Sequence, residues 1–216
     1  MITTASITPC CKKSTPETLR LQLIGVLVLF AWWLVAPWAH AGPGPEVADM
    51  RLERNEQGLF VSAALQFALP DLAEDALEKG IPVHFVLDAQ VLRERWYWSD
   101  KVVAEATRYL RLTYQPLTRR WRLNVSPTPL ASAGLGMALG QTYEDLDDAL
   151  AAMQRVARWR IAEAGQVEPD AAHTVQLRFR LDTSQLPRPL QIGAVGRPGW
   201  NLLLSRSQKL PAEAGR

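Results

Sequence analysis

The sequence predicts a β-rich α+β domain, an antiparallel sheet or a helix-decorated β-sandwich, standing behind an N-terminal export leader. Three observations predict it. Apolar residues recur at period two over several stretches, turn residues separate those stretches at hairpin spacing, and two segments, about 71–79 and 143–158, carry apolar residues at helical spacing. Strand runs interrupted by two helices, without regular βαβ alternation, point to α+β.

The leader comes first. Lys12, Lys13 and Arg20 against one acid, Glu17, precede an apolar run from Leu21 to Ala36 that is broken only by Gln22 and Gly25. Pro37 follows, and then Ala39, His40 and Ala41 in a small-x-small pattern. This is the layout of a secretion signal over residues 1–41, with Gly42 as the expected mature N-terminus. The competing reading is a retained anchor, but the run falls short of the roughly 20 apolar residues a spanning helix needs. The expected address is the periplasm or the exterior. The alternative is an inner membrane gripped by an uncleaved N-terminal segment, and the leader is the expected site of any membrane contact.

Cys10 and Cys11 both lie in the leader, so the mature chain has no thiol with which to form disulfides, zinc-cysteine sites or a cysteine nucleophile. The leader also holds three of the chain's 24 bases and one of its 22 acids, which leaves 21 of each. Zero net charge argues against a nucleic-acid partner of the globally basic kind.

Each element then follows in order. Val47 to Arg54 alternates roughly, Asn55 to Gly58 supplies a turn, and Leu59, Val61, Ala63, Leu65, Phe67 and Leu69 fall at strict period two, which predicts a hairpin. Pro70 ends it. Asp71 with Glu74 reads as an acidic capping box opening a short helix, and Gly80 is placed to stop that helix in a left-handed cap. The next strand sets Val83, Phe85, Leu87, Ala89 and Val91 on one side, but beyond Leu92 the phase inverts and predicts a break or bulge between residues 92 and 95. Val102 to Tyr114 and Trp121 to Val125, joined through Pro116, predict a second antiparallel pair.

Pro127 to Gln141 is rich in glycine and alanine and reads as a loop. Thr142 then caps a predicted helix lined by Leu146, Ala149, Leu150, Met153, Val156 and Ala157, with acids early and Arg155 and Arg158 late, as the macrodipole favours. Val175, Leu177, Phe179 and Leu181 predict another half-buried strand. From Ser205 the chain turns polar, so residues 42–205 are expected to form one domain and 206–216 a flexible tail.

Several strings carry a resemblance. Gly80-Ile81-Pro82-Val83-His84-Phe85-Val86-Leu87, Arg95-Trp96-Tyr97-Trp98, Tyr109 to Thr118, Leu181-Asp182-Thr183-Ser184-Gln185-Leu186-Pro187-Arg188-Pro189-Leu190-Gln191 and Trp200-Asn201-Leu202 together make the chain similar to an exported proteobacterial domain-of-unknown-function family (DUF 4390-like). The resemblance spans nearly all of the mature chain. It implies an envelope location and an association with a membrane signalling system, and it transfers no catalytic residue.

Chemical signatures are sparse. Gly134 to Gly140 resembles a dinucleotide fingerprint whose third glycine comes one place late, outside any βαβ unit. The mature histidines are His84 and His173, and His84 and Asp88 on one strand stand about 13 Å apart, so no metal and no cofactor are expected. No catalytic residue is assigned. An alternative reading is a periplasmic hydrolase using the Asp182 to Gln191 loop, with Ser184, Asp182 and the upstream His173; local turn chemistry accounts for the same residues.

What stands out is charge distribution. Residues 93–122 hold eight bases against Glu94, Asp100 and Glu105, interleaved with aromatics. Arg95, Trp96, Trp98, Arg108, Tyr109, Arg111, Arg120, Trp121 and Arg122 are therefore expected to form one Arg-aromatic face for an anionic envelope component or an acidic protein partner. Arginine stems covering the sheet would produce the same pattern. The expected function is a non-enzymatic binding or accessory module.

Overall fold

The computed structural model describes residues 44–95, 99–129, 139–188, 190–191 and 198–210. The expected leader and its expected cleavage site, within residues 1–43, Trp96 to Trp98, residues 130–138, Pro189, residues 192–197 and residues 211–216 lie outside them.

Period two yields the hairpin it predicts. β1 (Glu46–Asn55) and β2 (Gly58–Gln66) pair antiparallel, and Asn55 Oδ1 accepts the Gln57 amide at 2.9 Å inside the two-residue turn. Gly58 has φ +127°, and a Cβ there would collide with the Ala162 carbonyl, so the position requires glycine.

Helix α1 (Asp71–Glu78) starts where the expected segment, about 71–79, begins. Its N-cap is Pro70, whose carbonyl accepts the Ala73 and Glu74 amides, and the predicted capping box does not form. Asp71 and Glu74 instead lie in the first turn, where the helix dipole favours acids. The C-terminus ends as read. Gly80 takes φ +75°, its amide bonds Leu77 O at 2.8 Å and the Ile81 amide bonds Ala76 O at 2.9 Å, the two bonds of a Schellman cap.

The larger sheet is built from β3 (Val83–Arg93), β4 (Lys101–Gln115), β5 (Arg120–Ser126), β6 (Leu139–Tyr143), β8 (His173–Asp182) and β9 (Leu203–Leu210), in the order β6-β5-β4-β3-β8-β9. The smaller sheet has the order β1-β2-β7, with β7 spanning Arg155–Glu163. Every neighbouring pair of described strands runs antiparallel. The β-rich α+β class with two helices is therefore correct.

Strand β3 ends at Arg93, where the phase inversion falls. Its ladder to β8 runs unbroken to Arg93↔His173, whereas toward β4 the register shifts: Val91 faces Ala104 and Leu92 faces Val102. The extra residue is Val103, so the bulge belongs to β4 rather than to β3.

Three expectations are corrected. The second helix, α2, covers Leu146–Gln154 alone, capped by Asp145 instead of Thr142. Val156 follows Met153 at helical spacing, but Arg155–Glu163 is strand β7, with Val156, Trp159 and Ile161 buried and one residue too many near Arg158, which has φ +37°. Ser62 Oγ accepts the Arg158 amide at 3.1 Å and holds this kink. The end of the predicted loop, 139–141, forms edge strand β6 together with Thr142 and Tyr143, the residues predicted to open the helix. Finally, the polar tail contributes residues to 210 as edge strand β9: Leu204 is buried, and the polar alternation is that of a half-exposed edge.

Between the sheets lies the core. Phe85 and Phe179 stack at 5.6 Å and 5°, and Phe67 lies 5.1 Å from Phe179. The sheets meet through β3 and β4 against β7, and through β1 against β9, where Arg206 Nη1 donates to Val47 O at 2.7 Å.

Candidate functional site

Residues opposed in register share a side of the sheet, so the pairing decides which face each charge occupies. Phe85 faces Leu110 and Leu181, Leu87 faces Arg108, and Leu112 faces Leu123, all on the inner side. The outer side carries His84, Val86, Asp88 and Gln90 from β3; Glu105, Thr107, Tyr109, Arg111 and Thr113 from β4; Arg120, Arg122 and Asn124 from β5; Arg178, Arg180 and Asp182 from β8; and Lys209 from β9.

The predicted Arg-aromatic face is thereby split. Tyr109, Arg111, Arg120 and Arg122 lie on the outer side together. Arg108 points inward, its guanidinium 4.8 Å above the ring of buried Trp159, and Trp121 is buried against Tyr114 at 4.8 Å. Arg108 has the parity of Leu110 and Leu112, and that parity puts it inside. Arg95 is exposed just beyond β3, and Trp96 and Trp98 lie outside the described residues.

Arg178, Arg180 and Lys209 join the outer face without having been expected there. The alternation of β8 in the sequence made the two arginines half-exposed, but only pairing with β3 sets them across from Asp88 and Val86.

A cavity of about 280 Å³ lies on this face between Tyr109, Thr107, Asp88, Gln90, Arg178 and Arg180. Its floor is polar and cross-linked: Thr107 Oγ1 donates to Asp88 Oδ1 at 3.0 Å, Arg180 Nε lies 3.6 Å from Asp88 Oδ2, and Gln90 Nε2 donates to Glu105 at 3.3 Å. Toward the sheet end, Glu94 accepts from Thr174 at 2.9 Å and pairs with Lys209 at 3.2 Å, and these contacts hold its carboxyl below the usual range.

One lateral row runs Asp182, His84, Arg111, Asn124, Gly140 across five strands. Burial, and then the positive charge of Arg111, hold the His84 imidazole below its ordinary 6.5, with Asp182 opposing. His84 Nδ1, Arg111 Nε and Asn124 Oδ1 are buried and have no hydrogen-bond partner among the described residues.

The Asp182 to Gln191 loop is built as a turn. Asp182 Oδ1 accepts both the Ser184 amide at 3.0 Å and the Ser184 hydroxyl at 2.6 Å, and Gln191 Nε2 donates to Ser184 O and Leu186 O. His173 sits at the far end of β8, nine residues or about 30 Å from Asp182. The predicted Ser184 and His173 are not brought together. His173 is buried, donates from Nδ1 to Ala171 O at 2.9 Å, and is held below 6.5, first by burial.

No cluster of three or more His, Cys, Asp or Glu side chains able to hold a metal occurs among the described residues. No described helix is long and apolar enough to cross a membrane. Neither the curated proteins nor the solved structures contain a match to the chain. Over residues 43–209, which include every strand but the last residue of β9, the chain matches the family described as a domain of unknown function, DUF4390, and it belongs to that family.

Proposed function

We propose that the chain is an exported binding or accessory module of the cell envelope, non-enzymatic, whose ligand face is the outer side of the six-stranded sheet. The observation that carries this is the gathering of Arg111, Arg120, Arg122, Arg178, Arg180 and Lys209 on one side of the sheet, against Asp88, Glu94, Glu105 and Asp182. Several of these acids are already engaged within the sheet, Asp88 by Arg180 and Thr107 and Glu94 by Lys209. Arg122 and Arg178 are exposed, and Arg120 reaches a solvent-facing Glu144 at 3.3 Å. Such a surface favours an anionic partner, as a lipid headgroup layer or an acidic protein patch, and its attraction falls with salt.

The test is a triple variant, Arg120→Ser, Arg122→Ser and Arg178→Ser. Exposed charges contribute little to stability, so it should fold. Flotation with phosphatidylglycerol vesicles against neutral phosphatidylcholine vesicles, and crosslinking in envelope extract, read the two kinds of partner. Loss of capture by the folded variant, and loss on raising salt, support the reading. Capture of the same partners at equal strength refutes it.

A further inference from the structure

Buried polar atoms left without partners are costly, so a fold that lines up three of them has a use for them or a solvent molecule to satisfy them. His84, Arg111 and Asn124 are direct cross-strand neighbours on β3, β4 and β5, with Cβ atoms about 5 Å apart from one strand to the next. Asn124 is only 5% exposed. Beside them, a Cβ on Gly140 would stand 3.3 Å from Arg122 Nε, Arg122 Nη2 and Asn124 Nδ2, so the absence of a side chain at 140 is what lets these nitrogens gather there. An imidazole, a guanidinium and an amide thus follow one another on adjacent strands, and a second guanidinium, that of Arg122, meets the amide over Gly140.

We propose that this row, His84, Arg111 and Asn124 with Arg122 over Gly140, is a binding subsite for a phosphoryl group. The inference rests on the outer face being the ligand face. The donors decide the class: a planar carboxylate is satisfied by one guanidinium fork, whereas donors arriving from several directions match the oxygens of a tetrahedral group. Asn124 Oδ1 supplies an acceptor for the one protonated oxygen of the hydrogen phosphate dianion. The carboxylate that borders the row, Asp182, has one oxygen turned to Ser184. A bound phosphoryl dianion opposes the two effects that now depress His84, burial and the charge of Arg111, and so favours protonation of the imidazole.

Inorganic phosphate is the probe, titrated into the purified chain by calorimetry and by NMR of the His84 ring. Saturable binding, with the His84 titration moving upward as phosphate is added, is the expected result. Arg111→Gln should weaken binding at least tenfold. Because loss of Arg111 also alters packing, Gly140→Ala on the exposed edge strand provides a second variant, expected to weaken binding severalfold with the fold intact. Arg51→Gln, an equal charge change on exposed β1, should leave affinity unaltered. Competition between phosphate and phosphatidylglycerol vesicles identifies a lipid headgroup as the source, and phosphate binding without vesicle binding identifies a soluble phosphate. If affinity in Arg111→Gln and Gly140→Ala equals that of Arg51→Gln, or if acetate competes as well as phosphate, the subsite is wrong. If vesicles bind through Arg120, Arg122 and Arg178 yet phosphate neither binds nor competes, the subsite falls while the face stands.

Discussion

Arg108→Ser separates the inner arginine from its neighbours on the sequence. The guanidinium stands over the Trp159 ring at 4.8 Å, a contact worth about 0.5–1 kcal/mol when exposed and about 2 when desolvated. The half-buried stem adds about 0.8 kcal/mol for each methylene that serine removes from cover. Together the loss comes to about 2 kcal/mol, and with a urea m-value near 2 kcal/mol/M the midpoint falls by about 1 M. Arg122→Ser, exposed on the other side of the sheet, should change stability by no more than about 0.5 kcal/mol. Burial disfavours the charge on Arg108, so Arg108→Met, which retains packing and sheds that penalty, should be close to the parent in stability. Urea unfolding followed by tryptophan emission measures all three. If Arg108→Ser costs no more than Arg122→Ser, Arg108 is not an inner residue and the split of the arginines into two faces is wrong.

Acid should weaken the fold. His84 and His173 are both held below 6.5, so the unfolded chain takes up protons before the folded one does; stability is full above about pH 6.5 and declines as pH falls through the lowered folded values. A melting temperature at about pH 5.5 equal to that at about pH 7.5 would contradict both placements. Phe179→Ala removes the central ring of a three-ring stack and should cost about 3–5 kcal/mol by urea denaturation, a shift under about 1 kcal/mol being incompatible with its full burial. Gly58→Ala forces a side chain into the Ala162 carbonyl at a positive φ and should cost more than about 2 kcal/mol, or abolish soluble expression, which a thermal melt of the variant decides.

Much of the sandwich was written in local pattern. The period-two run Leu59 to Leu65, the alternation of Val175 to Leu181 and the Gly80 stop each depend on neighbours within a few residues, and all appear as read. Where helix spacing and strand spacing agree by coincidence, as from Met153 to Val156, only the place waiting beside β2 decides, and it makes β7 a strand. Edge strands β6 and β9 need pattern on one side only, so Gly140 and Ser205 resembled a loop and a tail. The site was half legible. Parity within β4 separates Arg108 from Arg111 in the sequence itself, but that Arg111 and Arg122 share a side, and that Arg178 joins them, depends on register between strands far apart in the chain.

That separation also governs time. β3 is flanked on one side by β4, its hairpin neighbour, and on the other by β8, where Phe85 meets Leu181 across nearly a hundred residues. Closing so long an intervening segment is slow, on the millisecond-to-second scale of sandwich proteins. A growing chain can assemble the β1–β2 hairpin and the run from β3 to β5, yet Phe85 has no stacking partner, and β1 no Arg206, until β8 and β9 have been made. The arrival of β8 and β9 is therefore the step that converts a set of separate hairpins into a domain.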